Sequence, residues 1–375
     1  MNVLHVYRTY YPDPPGGLQQ AIRQIAAGCN DLGVQARVYT LSPSPEPAEI
    51  VRPEALVCRA RSWWAPASCD LGGPRAFQLY RECVDWADVL HFHYPWPFAD
   101  VLNLMVQTRK PKVMTYHSDI VKQKVLGKLY HPLMRYTLAH MDAVVATSPA
   151  YARTSPVLRS HVPPERLHVI PLCMGDALEE AASRTDSRIV DMLGLKDKPF
   201  VLSLGVLRYY KGLHVLLQAA REIRGTIVLA GSGPEEERLR QQVRNAGLEN
   251  VVFAGQVSEE DKHALLRHCT ALALPSHLRS EAFGMVLLEA SMYSRPLVSC
   301  EIGTGTSYAN QNEETGFVVP PEDPMALARV INTLFERPEL ARQLGANARR
   351  RYETHFTPEI MANAYTALYR KLLSP

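Results

Sequence analysis

The sequence predicts an α/β protein of two Rossmann-like, doubly wound parallel-sheet domains with a cleft between them. Three observations predict it. The chain has 375 residues, too many for one ordinary hydrophobic core, so two domains are the default. Short β-rich runs alternate with amphipathic helical stretches, the pattern of parallel sheets with helices on both faces. The alternation occurs twice, on either side of Val169–Asp176, where Pro171 and Gly175 interrupt regular structure.

In the first half, strands are expected at Val3–Val6, Ala36–Thr40, Ala55–Cys58, Val89–Phe92, Lys112–Tyr116 and Ala143–Ala146. Helices fit Gly17–Leu32 and Val121–Ala139, where apolar residues recur with helical spacing. In the second half, strands fit Phe200–Leu204, Thr226–Ala230, Val251–Ala254, Ala271–Leu274, Leu297–Ser299 and Phe317–Val319. Helices fit Leu213–Ile223, Glu235–Ala246, Glu259–His268, Val286–Tyr293 and Pro324–Phe335. The small, polar stretch Ala177–Asp186 reads as a surface connection. The last helix, Pro358–Leu373, is rich in Tyr and Leu and is long enough to return to the first domain, although periodicity alone leaves that open. The expected division is 1–172, with the C-terminal helix 357–375 added to it, and 173–356.

Composition narrows the class. A hydrophobic fraction of 46% is that of a soluble globular protein. No apolar run approaches the roughly 18–20 residues that span a bilayer, and Val3–Val6 reads as a strand rather than a signal peptide. Seven cysteines, Cys29, Cys58, Cys69, Cys83, Cys173, Cys269 and Cys300, show no metal-type pairing. They read as reduced core thiols of a cytosolic protein. Net charge is +3 but uneven: residues 1–172 hold 18 Lys/Arg against 13 Asp/Glu, the remainder 23 against 25. The excess clusters in Arg109, Lys110, Lys112, Lys122, Lys124, Lys128 and Arg135, against the single acid Asp119. Such a segment is either a solvated helix face or a surface for anionic membrane or a phosphorylated acceptor. Nucleic acid is disfavoured, since neither a binding motif nor aromatic interleaving is present.

The stretch Glu281–Glu289, EAFGMVLLE, places two carboxylates eight residues apart around the bendable pair Phe283-Gly284. With Glu281 in the loop before a helix and Glu289 two turns in, the two can reach different parts of one ligand. Helix N-termini favour anions, so carboxylates there point to a hydroxyl-bearing ligand, a sugar or a ribose. Arg208 and Lys211, in LGVLRYYKG, follow a strand at the carboxyl edge of a sheet, where open α/β sheets bind ligands. A fork and a compact charge suit a diphosphate. The run Ala230–Glu237, AGSGPEEE, is a turn or a weak phosphate loop, with the acids of its first helical turn opposing tight phosphate. Gly303-Thr304-Gly305-Thr306 is either a phosphate or sugar pocket or a plain loop.

In the first half, Gly16-Gly17 lies between the first strand and a helix, with Pro12, Pro14 and Pro15 stiffening the approach. Glycines there let a ligand reach free N–H groups, but a full GxGxxG is missing, which argues against a dinucleotide site. His117 ends a strand, with Asp119 close by, and is either a reaction-centre group or a backbone-bonded residue. His91 and His93 share one face of a strand. They bind metal only with a third ligand that the sequence does not identify. His93 reads as a pocket-lining candidate and His91 as structural.

Together these motifs resemble family 4 of the retaining glycosyltransferases, which have the GT-B fold of two facing Rossmann-like domains. The matching pieces are the Gly16-Gly17 loop, His117, Lys211-Gly212, the Glu281/Glu289 pair, Gly255–Val257 and Glu314–Asp323. The textures HVYRTYYPD, TYHSDIVKQK and EIGTGTSYANQNEETG resemble a narrower branch, bacterial mannosyl- and rhamnosyltransferases of polysaccharide assembly that commonly use GDP-sugars. The resemblance implies an N-terminal acceptor-binding domain and a C-terminal donor-binding domain. It assigns Lys211 to the donor diphosphate with Arg208 as cationic partner. Glu281 would hold sugar hydroxyls, aided by backbone of Phe283 and Gly284, and Glu289 the ribose. Gly16 and Gly17 would approach the donor, Val257 would line its site, and His117 would lie beside the sugar. The family often has Arg where this chain has Val206. No Asp-x-Asp motif is apparent, so neither metal nor other cofactor is expected, and the nucleotide sugar is a substrate. The resemblance places the enzyme in the cytoplasm, with peripheral contact to an anionic inner membrane face left open. A nucleotide-sugar epimerase, a phosphorylase or a non-catalytic binding subunit on the same scaffold are the alternatives.

Overall fold

The computed structural model describes residues 1–13, 16–66, 69–119, 124–176, 188–196 and 198–374. The connection expected at 177–186, Pro14, Pro15, Lys122 and the side chains at 124–129 lie outside the described parts. The chain divides into two compact units, Met1–Cys173 with Pro358–Pro375, and Met174–Thr357.

The first unit is a nine-stranded sheet. Its strands are β1 (Asn2–Val6), β2 (Gln35–Ser42), β3 (Glu49–Val51), β4 (Leu56–Trp64), β5 (Leu71–Gly72), β6 (Val89–Tyr94), β7 (Lys112–Tyr116), β8 (Ala143–Ala146) and β9 (Leu167–Val169). The order is β3-β4-β2-β1-β6-β7-β8-β9, with β5 on β4. Pairing is parallel except where β3 and β5 meet β4. The three strands absent from the sequence expectation, β3, β5 and β9, are two or three residues long. That is too short for an alternation to register. The strand order turns back on either side of β1, so the loops after β1 and β6 flank the switch point where such sheets bind ligands, and the loop after β7 lies one strand farther out.

The helix Gly17–Asn30 buries Ala21, Ile22, Ile25, Ala26 and Cys29. The C-terminal helix Pro358–Leu373 lies against it, and its Met361, Ala362, Tyr365, Leu368 and Tyr369 share one apolar core with Val3, Ile25, Val89, Val113 and Val145. Gly28 permits the approach: a Cβ there would lie 2.8 Å from Ala362 Cβ. Two members of the basic segment are structural. Lys110 Nζ donates to the carbonyls of Val84 (2.7 Å) and Asp85 (2.8 Å) at the end of helix Pro74–Trp86, and Lys112 is buried. Their charges serve the fold, not a ligand surface.

The second unit is a six-stranded parallel sheet of β10 (Phe200–Leu204), β11 (Thr226–Ala230), β12 (Val251–Gly255), β13 (Ala271–Leu274), β14 (Leu297–Cys300) and β15 (Gly316–Val319). The order is β12-β11-β10-β13-β14-β15, with the switch at β10. Helix Pro338–His355 escapes the sequence pattern because its buried stripe, Ala341, Leu344, Ala348 and Tyr352, is partly small residues set among many charges. All seven cysteines are free thiols, and all but Cys69 are buried. Among the described residues, no helix is long and apolar enough to cross a membrane.

Overpacking a close helix contact costs about 1–3 kcal/mol. Gly28→Leu is therefore expected to lower the melting temperature by several degrees, whereas Gly17→Ala, with no heavy atom within 4 Å of its Cβ position, leaves it nearly unchanged. Equal melting of the two variants would contradict this packing.

Candidate active site

Three strand-end loops of the second unit are laced together backbone to backbone. After β10, Gly205 N–H donates to Ala230 O at 2.9 Å, Leu207 N–H to Ser232 O at 2.9 Å, and Glu235 N–H to Leu207 O at 3.1 Å. Gly231 adopts φ +129°, and a Cβ on it would sit 2.2 Å from Gly205 O. The glycines of AGSG thus serve close backbone packing, and no phosphate is needed to explain them.

The chain then makes a 3-10 turn, Tyr209–Lys211, closed by left-handed Gly212. A Cβ on Gly212 would lie 2.0 Å from Pro275 O, so no side chain fits. His277, just past β13, completes the junction. Its N–H donates to Tyr210 O at 3.0 Å, its Nε2 donates to Tyr209 O at 3.1 Å, and its Nδ1 lies 2.9 Å from Glu322 Oε1. His277 and Ser276 carry no motif signal, because their role appears only once β10 and β13 are neighbours.

These contacts bring Lys211 and Glu281 together. Lys211 Nζ lies over Gly205, 3.0 Å from where a Cβ would stand. Glu281 occupies the loop before helix Met285–Met292, not the helix itself. It accepts from Ser276 Oγ at 3.4 Å and from Gly284 N–H. Burial pushes its carboxyl above the ordinary range, opposed by the Lys211 charge and these two hydrogen bonds. Gly284 caps the helix at φ +84°, where a Cβ would press on Leu274. The Phe283 side chain is buried against Phe356. Burial raises the Tyr210 hydroxyl to about 12, with Glu281 adding to the shift and Arg208 opposing it. Arg208 and Glu281 therefore act on one hydroxyl, and Arg208 itself is exposed.

Glu289 is placed differently. It lies in the second turn of helix Met285–Met292 and is ion-paired with Lys262 Nζ at 3.2 Å. Lys262 also holds Glu259 at 2.7 Å. Burial pulls the Lys262 ammonium down, but the two carboxylates outweigh it and hold its pKa above normal. Val257, in the loop between β12 and helix Glu259–His268, is partly exposed. Thr304 and Thr306 turn inward, Thr306 Oγ1 donating to Cys300 O at 3.2 Å. Arg279 donates to Gly303 O at 2.7 Å. The hydroxyls of this loop are structural.

In the first unit, Gly16 is the extended N-cap of helix Gly17–Asn30, whose first turn carries no acid, so its N–H groups face no competing negative side chain there. His117 follows β7, and its N–H donates to Tyr94 O at 3.2 Å. Its ring continues inward: His117 Nε2 meets His93 Nδ1 at 3.1 Å, and His93 Nε2 meets His5 Nδ1 at 3.0 Å. His91 bonds Thr115 Oγ1 and the Tyr369 hydroxyl, both at 2.7 Å. His93 is thus interior rather than pocket-lining. His5, opposite His91 in the β1/β6 register, is missed from sequence because nothing local links strands 86 residues apart. Asp119 is engaged structurally, accepting from Tyr116 OH at 3.0 Å and Ser155 Oγ at 2.7 Å.

Comparison with known proteins bears on this geometry. The model for group 1 glycosyl transferases matches residues 188–351. The model for a glycosyl transferase 4-like domain matches residues 16–173. The chain is 42% identical over 374 residues to O-antigen chain mannosyltransferase C of Escherichia coli, covering 100% of this chain and 99% of that protein. This protein belongs to glycosyltransferase family 4. The glycosyltransferase is also 43% identical over 358 residues to D-rhamnosyltransferase WbpZ of Pseudomonas aeruginosa, covering 95% and 92% of the two chains. A sucrose-phosphate synthase structure from Thermosynechococcus elongatus superposes with TM-score 0.79 at 24% identity, over 99% of this chain and 98% of that one. The fold is GT-B, and the enzyme is a hexosyltransferase.

Burial holds His5 and His117 neutral down to about pH 3, and His91 and His93 are also depressed well below 6.5. Between pH 6.5 and about 3 the unfolded chain binds protons that the folded unit refuses. Stability is then full above pH 6.5 and falls as pH drops, by up to about 1.4 kcal/mol per pH unit for each histidine. Asp100, raised by burial to about 7, acts in the opposite sense and offsets about one of the four. Denaturant unfolding at pH 7, 6 and 5 is expected to show this decline, shallower in His5→Phe. A flat profile would contradict a neutral cluster.

Proposed function

We propose that the enzyme transfers a mannosyl or rhamnosyl unit from a nucleotide-diphosphate sugar, GDP-linked by preference, to a saccharide or lipid-linked saccharide acceptor during surface polysaccharide assembly. The observation that carries this reading is the Lys211–Glu281 arrangement at the switch point of the second sheet, a cation and a partly buried carboxylate held by interlocked loops. The names of the two similar proteins, a mannosyltransferase and a rhamnosyltransferase, support the hexosyl class.

The chemistry follows from these groups. The bond between sugar C1 and the phosphate oxygen breaks, and its electron pair stays on the diphosphate. Lys211 and Arg208 stabilise that growing charge from fixed positions. Glu281 accepts hydrogen bonds from hydroxyls of the transferred sugar, and the Phe283-Gly284 backbone and Val257 line the donor site. Glu289 serves the ribose, exchanging part of its bond to Lys262 for hydroxyls. The family resemblance assigns Gly16, Gly17 and His117 to the donor as well. Resemblance to the retaining family supports attack of the acceptor hydroxyl on C1 from the face the phosphate leaves, its proton passing to the departing phosphate and configuration being retained.

Lys211→Ala and Glu281→Gln are each expected to cut transfer on the order of 10²-fold or more, as loss of preorganised electrostatics does. Glu289→Gln is expected mainly to weaken nucleotide binding, by about tenfold for one charge-assisted hydrogen bond. Thermal-shift titration with GDP, UDP and ADP, followed by transfer assays with the matching sugars, measures both. Near-normal turnover in the first two variants would overturn the site assignment, and stabilisation by UDP or ADP but not GDP would overturn the donor.

A further inference from the structure

Two of the four tryptophans stand in solvent, and they are neighbours. Trp63 and Trp64 are each 68% exposed. An exposed patch of large apolar side chains marks an interaction site more often than chance. The pair ends β4, which runs parallel to β2 and β1, so it emerges at the carboxyl edge of the first sheet. There the chain turns back as β5. The hairpin is tied to both loops that flank the switch point. The buried Asp70 accepts from Ser62 Oγ at 2.9 Å and from Arg8, in the loop after β1, at 3.2 Å. Its carbonyl accepts from Trp96 Nε1, in the loop after β6, at 2.9 Å. Trp63 is the extra residue of a bulge between the pairs Ser62/Gly72 and Trp64/Leu71, a device that re-aims a side chain. Its six-membered ring lies over Gly73, where a Cβ would stand 2.0 Å from Trp63 Cζ2. One face of the indole therefore rests on bare backbone, and the other is open to solvent.

We propose that Trp63, seated on Gly73, is the floor of a saccharide-binding subsite, with Trp64 beside it, that holds sugar units of the acceptor other than the one that reacts. A pyranose ring has an apolar face of C–H groups and a rim of hydroxyls. The face covers an open indole, which is large, rigid and amphipathic. The rim needs polar partners, and the frame of Ser62, Asp70 and Arg8 lies next to the ring in the hairpin. Arg8 carries five N–H donors, and 29% of its side chain is exposed. A support fixed before the ligand arrives loses little freedom on binding. The observations favour a saccharide over a lipid surface. Membrane binding by exposed tryptophans gains from cations on the same face. Lys110 and Lys112, from the basic segment, stand at the start of β7, which runs parallel to β6 and β1. They are therefore at the opposite, amino edge of the sheet from Trp63 and Trp64.

The subsite rests on the reading of the acceptor as a saccharide, but its first test needs no donor. In 15N-tryptophan-labelled enzyme, the indole N–H signals of Trp63 and Trp64 are expected to shift saturably on addition of α-linked mannotriose or rhamnotriose, while those of Trp86 and Trp96 stay in place. Trp63→Ala is expected to weaken that binding and to raise KM for an oligosaccharide acceptor, each by about tenfold, the upper worth of one stacked ring. KM for the nucleotide sugar and the melting temperature are expected to stay unchanged. Trp63→Phe is expected to keep most of the binding. Gly73→Ala, which displaces the indole without removing it, is expected to lose it. No saturable shift with either trisaccharide, or an unchanged acceptor KM when Trp63 and Trp64 are both replaced by Ala, would overturn the subsite. Capture of the unsubstituted enzyme, but not of that double variant, by vesicles of phosphatidylglycerol and phosphatidylethanolamine, with no response to saccharide, would assign the tryptophans to a lipid surface instead. Failure of the unsubstituted enzyme to extend any saccharide, with trisaccharide binding present in it and lost in the double variant, would sink the functional reading and leave the binding site standing.

Discussion

The proposed donor site depends on a contact with no side chain in it, the backbone of Gly212 against the Pro275 carbonyl. Because β10 and β13 are neighbours, the loops that follow them run side by side, and only glycine allows them to touch. His277 then bonds the facing carbonyls of Tyr209 and Tyr210. Lys211 and Glu281, seventy residues apart in the chain, are placed by this junction rather than by their own bond. That is what electrostatic preorganisation requires: charges held by the scaffold need not reorganise when a ligand's charge develops.

Both units pair the charges they bury. In the second, Glu281 is raised by burial and restrained by Lys211, and Glu289 is ion-paired with Lys262. The ion pair holds Glu289 in place before any ligand arrives, so a ribose would meet an ordered carboxylate. The first unit also pairs buried charges, Arg59 with Asp13 and Arg52 with Glu54, and adds a cluster of uncharged rings. Burial keeps His5, His91, His93 and His117 neutral, so these four add no desolvated ion. The arrangement reaches the end of the chain, since Tyr365 and Tyr369 supply hydroxyls to Thr115 and His91.

Several motif residues carry a structural duty instead of a chemical one. Gly231 and Gly233 exist for close backbone approach, and the hydroxyls of Thr304 and Thr306 are turned inward. Lys110 caps carbonyls. Each looks like a ligand-binding group in sequence, because small, hydroxylated and cationic residues at strand ends serve both purposes. Only the partner decides between them.

The sequence by itself determined the α/β class, because period-two and helical patterns are local. It also marked candidate groups near strand ends: His117 directly follows β7, and Lys211 and Glu281 lie in the loops after β10 and β13. It placed Glu281 and Glu289 on different sides of a helix start, which is a matter of spacing alone. The tertiary structure decided what those residues meet. His277 as a clamp, Lys262 as the partner of Glu289, and His5 behind His93 all depend on which strands are neighbours. Strand neighbours are set by long-range packing, and no local period encodes them.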